Sequence, residues 1–152
     1  MVQAVFLDAY PLSLVTQRRG KSAEADACRT WMKGLFDVGI PVCVAEVTDY
    51  EVRRELIRAG KTDGVARLDR LQSVIKFLPI NTEAMLRAAD LWAQARNQGV
   101  ATADVKALDG DVIMAAQILT CGLPPTEIIV ATTNVRHIVR HIAADLWSNI
   151  VL

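Results

Sequence analysis

Asp8, Glu51, Asp109 and Asp111 are the side chains of this sequence that could do chemistry together. Asp8 closes a short apolar run, Val5-Phe6-Leu7, and Asp109 and Asp111 stand before the apolar, alanine-rich stretch Val112 to Leu119. Asp109 is expected to cap that helix and Asp111 to lie in its first turn, where the helix dipole favours a negative charge by roughly 0.3–1 kcal/mol. Capping and turn formation are sufficient reasons for each aspartate alone. Gathered with Glu51 they would repel one another, and a divalent cation would keep them ionised. Glu51 is expected on a helix face shared with Val47, Tyr50, Arg54 and Ile57, beside apolar neighbours; a surface glutamate paired with a nearby arginine is the plainer alternative.

The elements that would have to position these acids can be traced along the chain. Residues 4–7 form a short apolar run of the kind buried on both faces of a parallel sheet, which puts Asp8 at the carboxyl edge, where ligands bind in open α/β folds. A helix over 22–38 carries the stripe Ala25, Cys28, Trp31, Met32 and Leu35, and a second strand covers 40–45. Strand, helix, strand implies a parallel pair with a right-handed crossover. Helices follow over 47–59, which carries Glu51, and over 61–77, with a short strand or extended link at 77–80. Asn81 caps a helix over 82–97 whose inward stripe is expected to be Met85, Ala89, Trp92 and Ala93. A polar connection over 100–106 leads to the acidic helix. A β-branched strand over 127–131 brings Thr132 and Asn134 to the same edge as Asp8. A short helix over 135–141 and a final strand within the apolar tail 147–152 complete the reading.

The chain has 152 residues, which suits one domain, 1–152, able to bury about 68–70% of its unfolded surface without disulfides or structural metals. Hydrophobic residues make up 52% of it against 8 Gly and 5 Pro, which excludes a disordered or low-complexity chain. The 17 basic and 17 acidic residues cancel, so only local patches such as Arg18-Arg19-Gly20-Lys21 could attract a nucleic acid. Cys28, Cys43 and Cys121 are odd in number and widely spaced, which fits a reducing compartment. The start of the chain has neither the basic region nor the apolar length of a signal peptide or membrane span, so a soluble, cytoplasmic protein is expected.

Four separated motifs coincide in order and character with one family. Phe6-Leu7-Asp8, Tyr50-Glu51-Val52-Arg53-Arg54-Glu55-Leu56, Asp109-Gly110-Asp111-Val112-Ile113-Met114-Ala115-Ala116 and Ala131-Thr132-Thr133-Asn134-Val135-Arg136-His137 span nearly the whole chain. With them the chain resembles a PIN domain, and within that group the VapC-type toxins of toxin–antitoxin pairs. The resemblance implies an α/β fold of three layers, α/β/α, around a central, mostly parallel sheet. It implies carboxylates at the sheet's carboxyl edge that bind Mg²⁺ or Mn²⁺ to cut RNA, with Asp8, Glu51 and Asp111 matching the regular acids. Asp109, Thr132 and Asn134 would support them. A protein antitoxin and a homodimer are the partners it implies.

The sequence departs from the fuller family pattern where many members place a fourth carboxylate, because here the chain has Asn134 and, three residues on, His137. A second cation would then bind weakly, or only with substrate phosphate completing its shell. His137 and His141, four residues apart, could share a helix face and hold a transition metal, or could be solvated or contact phosphate. Arg18, Arg19, Lys21, Arg53, Arg54, Arg136 and Arg140 are candidates for RNA phosphates, each also a plausible solvated surface residue. No Ser/His/Asp or Cys/His set and no Gly-rich phosphate loop competes. The rival readings are a PIN fold retained as a binding module and a small phosphatase-like α/β domain. The second wants an Asp-x-Asp after the first strand, where the sequence has Asp8-Ala9-Tyr10 instead.

Overall fold

The computed structural model describes residues 1–99 and 105–152, and within these all side chains but those of residues 105–108. The core is a five-stranded sheet in the order β3-β2-β1-β4-β5, formed by β1 (Ala4–Leu7), β2 (Val42–Ala45), β3 (Lys76–Leu78), β4 (Ile128–Ala131) and β5 (Ala144–Asp145). Every pairing is parallel. β1 and β2 are buried at every residue, as strands covered on both faces must be.

Alternation along the strands divides the interior in two. Ala4, Phe6, Cys43, Ala45, Ile128 and Val130 face one apolar layer, and Val5, Leu7, Val42, Val44 and Ala131 face the other. The first layer is filled from α5 (Thr82–Asn97) and α6 (Val105–Leu119), with Ile138 of the four-residue helix α7 (Val135–Ile138). The second is filled from α1 (Ala9–Val15), α2 (Ala23–Asp37) and α4 (Thr62–Leu71). α3 (Glu46–Arg58) follows β2 and contributes Val47 to one layer and Val52 to the other. The result is the expected three-layer α/β/α arrangement.

Several local expectations are corrected. Residues after Asp8 form α1, with Pro11 inside its first turn, where its missing amide donor costs no helical bond. α6 begins at Val105, so Asp109 lies inside the helix, exposed, and does not cap it. Val105 and Lys106 of the expected polar connection are helical, and its remainder lies outside the described residues. The helix expected over 61–77 ends at Leu71, leaving residues 76–78 to pair as β3. α5 buries Ala84, Ala88 and Leu91, while Met85, Ala89, Trp92 and Ala93 are exposed. Small residues let α5 approach the alanines of α6, Ala115 and Ala116, more closely than Met or Trp would. The last strand is β5 and not the tail: residues 147–149 form a 3-10 turn, Trp147 packs beside Trp31 at 5.9 Å between ring centroids, and the Trp31 indole donates to the carbonyl of Ile150.

Candidate active site

The sheet order reverses beside β1: the chain adds β2 and β3 on one side of it and β4 and β5 on the other. The crevice at the carboxyl ends of β1 and β4 is where an open parallel sheet can receive a ligand. Asp8 leaves β1 there and Thr132 leaves β4.

One chain of hydrogen bonds joins the carboxyl ends of β1 and β4 to the interior of α6. Asp8 Oδ1 accepts from the Ala9 amide at 2.7 Å, which caps α1, and its Oδ2 accepts from the Thr132 hydroxyl at 2.7 Å. Thr132 is wholly buried, and its Oγ1 accepts in turn from the Asn134 amide at 2.9 Å. Asn134 Nδ2 then donates to Asp111 Oδ2 at 2.9 Å. Asp8 and Asp111 are thus oriented by Thr132 and Asn134, two of the three residues expected to support them, while the third, Asp109, is exposed.

Glu51 reaches the same place from α3. A Cβ on Gly110 would stand 2.8 Å from Glu51 Oε1, so the carboxylate lies against the backbone of α6 next to Asp111. Gly110 was not among the residues singled out from sequence. Its signal is a glycine between two acids in a helix, a position that disfavours helix by about 0.8–1.0 kcal/mol relative to alanine. The face expected around Glu51 is corrected: Tyr50 and Ile57 are exposed, and Val47, Thr48, Asp49 and Val52 are the buried residues of α3. Nor does Glu51 form an ion pair among the described residues, Arg58 being paired with Glu55.

Two carboxyls bear the marks of this crowding. Burial, followed by the charges of Asp8 and Glu51, pushes Asp111 up from 3.8 to about 7 against the opposing hydrogen bond from Asn134. Burial and then Asp8 raise Glu51, with Arg54 opposing. All the donors are hard oxygens, or an amide that offers one, which suits Mg²⁺ or Mn²⁺ and does not suit a thiolate- or imidazole-seeking ion. Among the described residues no three His, Cys, Asp or Glu side chains already converge on one point tightly enough to hold an ion. The donor chemistry is that of a hard cation, which would need water and further ligands to complete its shell.

The remaining candidates do not all share one place. Arg53 is committed to structure, bonding Asp49 at 2.8 Å and Asp69 at 2.6 Å, so it is not available to a phosphate. Arg54 stacks over the Tyr50 ring at 5.0 Å. Arg18, Arg19, Lys21, Arg136 and Arg140 are exposed, with Arg19 lining a separate cavity beside α2. α7 stops at Ile138, so His137 and His141 do not share a helix face and the expected geometry for a transition metal is lost.

With this geometry in hand, solved structures supply the comparison. A chain of the VapBC2 complex from Rickettsia felis, crystallised with a promoter DNA fragment, superposes with a TM-score of 0.71 at 11% identity, covering 95% of this chain and 98% of that one. FitAcB from Neisseria gonorrhoeae gives 0.66 at 20% identity, with 96% and 99% covered. DNA-bound VapBC from Salmonella typhimurium gives 0.64 at 17% identity, with 97% and 99% covered. The fold is PIN-like. No protein-family model and no curated protein matches the sequence. In this PIN-like fold Asp8, just after β1, Glu51 of α3 and Asp111 of α6 lie close enough for their charges to act on one another. Among the described residues no helix is long and apolar enough to cross a membrane.

Proposed function

We propose that this chain is a Mg²⁺- or Mn²⁺-dependent endoribonuclease and the toxin of a toxin–antitoxin pair. The observation that carries the reading is the gathering of Asp8, Glu51 and Asp111 from three distant stretches of chain, with Asp111 pushed up to about 7 by burial and by the other two acids. Carboxylates so crowded and desolvated favour a cation or a proton between them. An antitoxin partner is supported by the VapBC complexes among the structural neighbours.

In this reading Asp8, Glu51 and Asp111 hold the cation. When bound there, the cation would polarise a phosphodiester and lower the pKa of water for in-line attack. Thr132 fixes Asp8, Asn134 fixes Asp111, and Gly110 leaves room for Glu51. The water oxygen bonds to phosphorus, the phosphorus–oxygen bond to the leaving sugar breaks, and that oxygen takes a proton. No side-chain nucleophile is needed. An antitoxin that inserted a basic side chain among the three acids would silence them by replacing the cation's charge.

Calorimetric titration with Mn²⁺, followed by incubation with mixed RNA, tests the assignment on wild type and on Asp8→Asn and Asp111→Asn. Wild type should bind and cut, and each variant, which loses charge but little volume, should do neither while still melting in a single cooperative transition. Full cleavage by either purified variant would sink the assignment.

A further inference from the structure

A groove of about 550 Å³ runs between α1 and α3, lined by Ala9, Tyr10 and Glu51 as well as by Arg18, Lys21 and Lys61. A neighbouring cavity of about 310 Å³ shares the walls Arg18, Lys21, Lys61 and Arg67 but includes neither Tyr10 nor Glu51. The groove therefore has an acidic, aromatic end at the carboxylates and a basic end away from them. In a chain of zero formal net charge such a concentration of cations is local design and not background.

The charges at the basic end are largely uncommitted. Arg58 is paired with Glu55, and Arg67 donates to the carbonyl of Thr16. Arg18, Lys21 and Lys61 are exposed and form no ion pair among the described residues, with Asp63 the acid on the wall of the second cavity. At the other end Tyr10 is 41% exposed, and its hydroxyl donates to Glu24 Oε2 at 2.8 Å, which holds the ring in place two residues after Asp8. A fixed aromatic face beside a basic channel is how proteins hold single-stranded nucleic acid without reading its sequence.

We infer that the groove between α1 and α3 is the track for a single RNA strand, in which Tyr10 stacks on a base next to the cleaved bond and Arg18, Lys21 and Lys61 receive backbone phosphates further along. The choice of RNA rests on the nuclease reading. The division of labour is physical: stacking is insensitive to salt, whereas each neutralised phosphate releases counterions and steepens the salt dependence.

Binding of a fluorescein-labelled oligoribonucleotide of mixed sequence, measured by anisotropy over a salt series on the full chain with divalent metal withheld so that the probe stays intact, tests the track. Lys21→Ala with Lys61→Ala should weaken binding and reduce the slope of log Kd against log salt by about 0.7 for each phosphate that the variant no longer neutralises. Tyr10→Ala should weaken binding by about tenfold at an unchanged slope, and Tyr10→Phe should restore it. All three positions are exposed, and melting curves would identify a misfolded variant. An unchanged slope in the lysine variant, unchanged affinity in Tyr10→Ala, or no binding of the probe by wild type overturns the inference. Cleavage of RNA by a wild type that fails these tests leaves the nuclease standing. Binding through the groove without any cleavage ends the nuclease reading and leaves the track.

Discussion

Gly110 and Asp111 are neighbours with opposite relations to their helix. Asp111 gains its orientation from Asn134, while Gly110 sits in the interior of α6, where alanine would be favoured by about 0.8–1.0 kcal/mol. Its reason is Glu51, whose Oε1 would stand 2.8 Å from a Cβ placed there. The clash is with the far end of a flexible side chain, so the fold can absorb it. Gly110→Ala should therefore melt at the wild-type temperature or above it, while metal affinity and RNA cleavage fall at least tenfold. Wild-type activity in that variant would mean that the position of Glu51 does not matter.

Gln117 does for the elements what Thr132 and Asn134 do for the acids. α3 opens at Ala45 without a side-chain cap, so the early amides of the helix that carries Glu51 need acceptors from outside. Gln117, 1% exposed on α6, accepts from the Val47 amide at 3.2 Å and donates to the Leu78 carbonyl at 2.8 Å. One amide thus ties α3, β3 and α6 together beneath the site. Gln117→Leu keeps the volume but abandons two buried backbone groups, and should cost about 2 kcal/mol or more in urea unfolding. A variant within about 0.5 kcal/mol of wild type would show these bonds to be dispensable. The rotation of α5 belongs to this scale too: its alanine stripe seats on α6, and the bulkier Met85 and Trp92 are left outside.

For the molecule as a whole, the crowded acids imply a dependence of stability on pH. The native Asp111 carboxyl titrates near 7 and its unfolded counterpart near 3.8. Between those values the native state holds the proton that the unfolded state has released, so this group lowers stability as pH rises through the interval and adds no further loss above it. The raised Glu51 acts in the same direction. The metal-free wild type should therefore lose melting temperature relative to Asp111→Asn as pH climbs from about 4 to about 7. Mn²⁺ should restore the loss in wild type alone, because the ion binds the ionised folded form. Parallel melting curves for the two proteins, or an equal response to Mn²⁺, would contradict this account.

Much of the architecture could be read in the residues themselves. The fully apolar runs of β1, β2 and β4 required a sheet covered on both faces, and the spacing of Ala25, Cys28, Met32 and Leu35 fixed the buried side of α2, because burial follows the periods of strand and helix. The motifs around Asp8, Glu51, Asp111, Thr132 and Asn134 marked the site; Asp8, Thr132 and Asn134 follow strands, whereas Glu51 and Asp111 stand inside α3 and α6. The start of α6 ahead of Asp109 escaped that reading because an aspartate before an apolar run signals a cap just as well as it continues a helix. Arg53 looked like a surface cation until the chain brought Asp49 and Asp69 to it. The tertiary structure alone decided the approach of Glu51 to Gly110, the face of α5 that is buried, and the groove joining Tyr10 to Lys61. These are relations between elements distant in sequence, and local periodicity specifies which side of an element is apolar without specifying what comes to lie against it.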